Sequence, residues 1–173
     1  MSETEVLTCG EVEGGLLEAL LERFGLRLRW VPDGAKIPGS YWGEPEAGLV
    51  RLDVFVRADT PVHSLLHEAG HTICAEPSRR IRLETEAGGD DAEENGVCYL
   101  QILLADHLPG VGSDRLMEDM DRWGYSFRLG STRAWFEDDA DDARAWLLEQ
   151  GLIDEEGRIL WRVRETVTAP AGG

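Results

Sequence analysis

Between Ser64 and Ala75 the only acidic or basic side chains are His67, Glu68 and His71, and every other residue there is uncharged. A stretch this apolar belongs inside a protein, where a carboxylate and two imidazoles are costly unless they are paired or put to use. A helix advances about 100 degrees per residue, so positions four apart nearly eclipse. On such a helix His67 and His71 share one face and can direct ring nitrogens at one metal ion, with Glu68 one step round. Gly70 adds a constraint, because glycine inside a helix costs about 0.8 to 1.0 kcal/mol relative to alanine. Its presence predicts a neighbour packed closely against that position.

The flanks bound this helix to residues 61–75: Asp59 or Thr60 can cap it, Pro61 suits the first turn, and Pro77 stops it. Upstream, Leu16, Leu17, Leu20, Leu21 and Phe24 give a helix over 14–24 that stops at Gly25. Residues 26–31 alternate as a half-buried strand, 32–39 form a loop, and 50–57 alternate as a second strand leading into the histidine helix. Downstream, 78–91 reads as a connector with a short strand at 81–83, followed by a helix over 91–107 that ends before Pro109 and Gly110. A helix over 113–124 is capped by Ser113, places Leu116, Met120 and Trp123 in the core, and stops at Gly124. Then come an extended piece at 125–129, a helix with an acidic start at 137–142 that ends at Gln150, a small hairpin within 152–163, and a disordered tail over 166–173. The expected architecture is α+β in one domain, residues 1–165, with a small antiparallel or mixed sheet packed against helices.

The balance of charge narrows the partners. With 34 acidic against 17 basic residues and a net charge of -17, a phosphate backbone or an anionic membrane surface is repelled. Nucleic acid and membrane are therefore not expected partners. The start, MSETEVLTCG, lacks a basic end followed by an apolar run, and no stretch approaches the ~20 apolar residues of a membrane span. A cytoplasmic protein is the expectation, and three scattered cysteines, Cys9, Cys74 and Cys98, read as reduced, buried thiols. Cys74 lies three residues after His71, which gives it a weak claim to the vicinity of a metal.

His67-Glu68-Ala69-Gly70-His71 matches H-E-x-x-H, and over residues 41–107 the chain resembles the zincin group of zinc metallopeptidases. That resemblance implies a catalytic Zn2+ held by His67, His71 and a third protein ligand, with water in the remaining place and Glu68 as the base that takes its proton. The metzincin extension is absent after His71. The helix over 91–107 resembles the gluzincin pattern instead, in which a glutamate on a second helix is followed three residues later by a small residue, as Glu93 is by Gly96. Glu93 also lies in line with Val97, Leu100 and Leu104, whereas Glu94 groups with Cys98 and Gln101. Glu93 is the expected third ligand and Glu94 the alternative; a first-turn glutamate is favoured by the helix dipole whether or not it binds metal. The family often has Asp or Asn four residues after the ligand glutamate. Val97 stands there, so support for a histidine ligand must come from elsewhere.

His63, one turn before His67, is either a partly exposed first-turn residue or a group on the substrate side, and His107 sits at a helix end where a cation is favoured. Tyr99, Tyr125, His63 and His107 are candidates for a donor to an oxyanion. The resemblance further implies that the strand over 50–57 pairs with an extended peptide, and Tyr41 and Trp42 can form a rim of that cleft. The expected function is zinc-dependent hydrolysis of peptide bonds in a peptide or protein substrate. Two alternatives stay open: a non-catalytic binding or regulatory module stabilised by zinc, and a zinc hydrolase of a non-peptide amide.

Overall fold

A computed structural model describes residues 6–40, 45–80 and 90–165. The expected strand at 81–83, the Tyr41–Trp42 rim and the tail over 166–173 lie outside the described residues. The architecture is α+β: a three-stranded mixed sheet accompanied by helices. A short 3-10 turn (Cys9–Glu11) precedes α1 (Leu16–Glu22), and β1 (Arg27–Trp30), β2 (Gly48–Val50) and β3 (Asp53–Val56) follow. Strand order is β1-β3-β2, with β1 parallel and β2 antiparallel to β3.

The single strand expected over 50–57 is instead a hairpin. Val50 pairs with Asp53 across the two residues Arg51 and Leu52, and Arg51 turns the chain at φ +56°. Tight hairpin turns need positive φ; an arginine in that conformation carries no sequence signal. Thr72 fastens the turn to the histidine helix by donating its hydroxyl to the Arg51 carbonyl at 3.0 Å. On β1 Trp30 is 45% exposed, so the strand buries less than its alternation implied.

The histidine helix, α2 (Val62–Cys74), forms as the sequence predicts, with Pro61 at its N-cap. Thr60 and Asp59 do not cap it: the Thr60 hydroxyl accepts from the Arg57 amide at 2.9 Å, and Asp59 pairs with Arg57. The first turn is tied down instead by the Val62 amide, which donates to the Leu7 carbonyl at 2.9 Å. A one-turn helix, α3 (Pro77–Arg80), follows. Next is α4 (Asp91–Ala105), whose N-cap Asp90 accepts from the Glu93 amide at 2.8 Å.

Helix α5 (Gly112–Trp123) starts one residue before Ser113 and stops at Gly124. Residues 125–129 contain no strand, and the single helix expected before Gln150 is two, α6 (Thr132–Asp138) and α7 (Asp141–Glu149), broken within the acidic run. The terminal hairpin is reduced to one bridge, Ile153 with Ile159. No helix among the described residues is long and apolar enough to cross a membrane.

Helices α2 and α4 form the most extensive helix pair. Leu65, Leu66, Ala69 and Ile73 on α2 and Val97, Leu100, Ile102 and Leu104 on α4 are fully buried. Gly70 explains itself here, because a methyl group on it would stand 2.9 Å from Val97 Cγ1. Gly96 makes the corresponding contact on the other side of α4, where a Cβ would meet the Trp146 ring at 2.6 Å. Two glycines thus let α4 sit tightly between α2 and α7.

Candidate metal centre

His67 and His71 leave α2 on one face and converge: their Nε2 atoms are 3.2 Å apart, with the rings 4.7 Å between centroids and nearly perpendicular. The carboxylate facing them belongs to Glu94. Its Oε1 is 2.9 Å from His67 Nε2 and its Oε2 is 3.4 Å from His71 Nε2. Donors held ~2.0 to 2.1 Å from a tetrahedral zinc lie about 3.3 Å from one another. The two imidazole nitrogens, 3.2 Å apart, and the Glu94 carboxylate, which presents one oxygen to each of them at 2.9 and 3.4 Å, are close to that spacing.

The structure departs from the expectation at Glu93. Its side chain is 3% exposed, hydrogen-bonds the Arg79 guanidinium and lies 3.5 Å from Arg164 Nη1. The same arginine group caps the C-terminal end of α2: Arg80 donates to the Thr72 and Ala75 carbonyls at 2.7 Å, and Arg164 to the Cys74 carbonyl at 3.2 Å. Cations are favoured at that end of a helix dipole, and Glu93 balances one of them, Arg164. One step along α4 separates this ion-pair cluster from the imidazoles. Glu93 and Gly96 therefore answer to the arginines and to α7, and the stripe Glu94, Cys98 and Gln101 answers to the histidines.

Gln101 supplies the support that the expected position lacks. Its Oε1 accepts from His67 Nδ1 at 2.6 Å, while its Nε2 donates to the His63 carbonyl at 3.2 Å. A proton fixed on Nδ1 leaves the Nε2 lone pair free for a cation, the usual role of an outer partner to a metal-binding histidine. Burial opposes charge on His67, but the Glu94 carboxylate against its Nε2 favours it and its pKa is held well above the ordinary range, so the Nε2 proton is the one a cation would displace. Burial, aided by the neighbouring His67, pushes His71 down to about 4 and leaves it a neutral donor. The sulfur of Cys98, a ring nitrogen of His67 and a carboxylate oxygen of Glu94 lie within 4.8 Å of one another.

Glu68 is half-buried, and no described side chain hydrogen-bonds to it. Desolvation raises its pKa to about 7, Glu46 and Glu94 add to the rise, and His67 opposes it. A carboxylate that gains and loses a proton near neutrality suits a general base or acid. Glu46 is fixed beside it, receiving the Ser64 hydroxyl and, at 2.6 Å, the Trp123 indole N–H. Trp123 belonged to a stripe expected to be wholly core; Leu116 and Met120 are, but the indole reaches Glu46.

Of the four candidate oxyanion donors, Tyr125 and His63 are at the site. The Tyr125 hydroxyl is 3.3 Å from His63 Nδ1, and its ring stands edge-on to His67 at 5.9 Å. Burial raises the phenol to about 12, so it keeps its proton. His63 is 1% exposed rather than partly exposed, and burial lowers it to about 3. Tyr99 stacks on Phe136 and His107 lies against Trp161, both away from the imidazoles. Cys74 is fully buried behind the end of α2, where burial raises its thiol. Gln101, Cys98 and Glu46 were not expected at the site; the first two were legible only as the stripe that carries Glu94. No protein-family model, no curated protein and no solved structure matches this chain.

Proposed function

We propose that this chain is a zinc-dependent amide hydrolase of the zincin type, a metallopeptidase whose centre is built by His67, His71 and Glu94. One observation carries the reading: two imidazole nitrogens and a carboxylate stand at tetrahedral donor spacing, with a proton-accepting carboxylate next in sequence to one of them. When bound, zinc supplies Lewis acidity toward a carbonyl oxygen and lowers the pKa of a coordinated water toward ~7. Glu68 takes the proton from the attacking water as general base and returns it to the departing amine as general acid. Tyr125, protonated and braced by His63, donates a hydrogen bond to the developing oxyanion. Gln101 keeps His67 in the binding tautomer.

The substrate follows less directly. The segment expected to pair with an extended peptide contains β3, and β3 is hydrogen-bonded on both sides, by β1 and β2. The outer edge of β2 is in turn met by Gly39, whose carbonyl accepts from the Leu49 amide at 3.3 Å. The pairing of β3 on both sides favours, as a second reading, a compact non-peptide amide over a peptide paired to the segment over 50–57. Zinc content and hydrolysis of a mixed peptide library, measured for the wild type and Glu68→Gln, test both. The peptidase reading expects zinc in both proteins and cleavage only by the wild type. Zinc in both with cleavage of small amides alone supports the second reading, and no turnover of any amide leaves a zinc-stabilised binding module.

A further inference from the structure

The proton traffic above leaves one chemically capable group unused. Cys98 follows Glu94 by one helical turn on α4, faces the same way as Glu94 and Gln101, and is 7% exposed. Its sulfur lies within 4.8 Å of a ring nitrogen of His67 and a carboxylate oxygen of Glu94, one convergent group. The contact is built into the fold: Val97, the preceding residue, is pressed onto Gly70 of α2, which holds this part of α4 against the histidine helix. The other two thiols have different surroundings. Cys9 points at the Pro61 carbonyl, 4.0 Å away, and Cys74 is sealed behind the end of α2.

We propose that Cys98 is a further, sulfur donor to the cation held by His67, His71 and Glu94, making this a mixed nitrogen, oxygen and sulfur centre in which water would enter as a fifth donor; this rests on the metal reading above. A thiolate is a soft ligand, so its participation selects a thiophilic ion such as zinc and rejects magnesium, calcium and manganese, which prefer all-oxygen shells. The proton of the thiol leaves to solvent when the metal binds, since only the thiolate coordinates. The chain thereby gains metal selectivity from a residue that does not take part in moving the substrate's protons.

Cobalt(II) titration of the full-length protein, followed by absorption, is the test. The wild type and Cys74→Ser are expected to bind one cobalt with a thiolate-to-cobalt charge-transfer band. Cys98→Ser is expected to bind cobalt without that band and to lose more than the ~10- to 100-fold of zinc affinity typical of an outer-shell partner. Zinc-edge absorption fine structure of the wild type, which needs no variant to fold, should show one sulfur at ~2.3 Å. One bound cobalt with no charge-transfer band in the wild type overturns the sulfur donor and leaves the centre of His67, His71 and Glu94 standing. A band that survives in Cys98→Ser and vanishes in Cys74→Ser also overturns it. No cobalt or zinc bound at all overturns both this inference and the metal reading beneath it.

Discussion

Glu93 and Glu94 are neighbours in sequence and lie in different environments. Glu93 is buried among guanidiniums at the end of α2, and Glu94, 43% exposed at its side chain, faces two imidazoles. The difference is one step of about 100 degrees around a helix. It decides which carboxylate holds the fold together and which is left to bind a cation. A buried ion pair contributes little over an apolar replacement, but losing one partner leaves the other charge stranded. A half-exposed carboxylate beside imidazoles costs little to remove from the fold and much to remove from a metal site.

The sharpest way to break this contrast is to exchange the roles by mutation. Glu93→Gln removes the carboxylate that Arg79 and Arg164 share and should lower stability by ~1 to 3 kcal/mol in urea unfolding, since Arg164 keeps Glu76, while zinc stoichiometry is retained at low temperature. Glu94→Gln should do the reverse, leaving the unfolding midpoint nearly unchanged and releasing zinc on dialysis. If Glu93→Gln loses zinc and keeps its stability, the assignment is inverted.

Next in size is the helix contact that sets the spacing of the centre. Gly70→Ala gains about 0.8 to 1.0 kcal/mol of helix propensity, yet its methyl would lie 2.9 Å from Val97 Cγ1. Overpacking of this kind costs about 1 to 3 kcal/mol. A net loss of stability that Val97→Ala relieves, measured as a double-mutant cycle, would show that this contact presses α4 onto α2.

Much of this was legible in the sequence. The histidine helix could be read because its apolar setting leaves only three groups to explain, and the close packing at Gly70 because glycine has a known cost in a helix. The choice between the glutamates could not. Helix α4 is buried on most of its circumference, so the apolar line through Val97 and Leu104 does not single out the face toward α2. The arginines that occupy Glu93 lie at positions 79 and 164, and nothing local in sequence announces their meeting. The hairpin at Arg51 was hidden for a related reason: the turn has neither glycine nor asparagine, and an alternating pattern runs through it without a break.

Two smaller effects refine the Glu94 side. Gln101→Leu frees the His67 Nδ1 proton and should weaken zinc binding ~10- to 100-fold, by competition with a chelator, with little change in the apo fold. His63, buried and depressed to about 3, works against the fold in acid. Below pH ~6.5 the unfolded chain takes up a proton that the folded chain refuses, so stability present above that pH is lost as pH falls toward 3. The slope from this one group is at most ~1.4 kcal/mol per pH unit. Chelator-treated His63→Asn should show a shallower fall in urea midpoint between pH 7 and pH 4.5 than the wild type, and an equal fall in both would remove His63 from the account.

The central claim is a cation shared by α2 and the Glu94 face of α4. An anomalous-scattering map at the zinc edge, from crystals of the zinc-loaded chain, tests it most directly. The account requires one peak bounded by His67 Nε2, His71 Nε2 and the Glu94 carboxylate, with Glu93 still on its arginines. A peak ligated by Glu93, or no peak between the imidazoles in fully loaded protein, would contradict it.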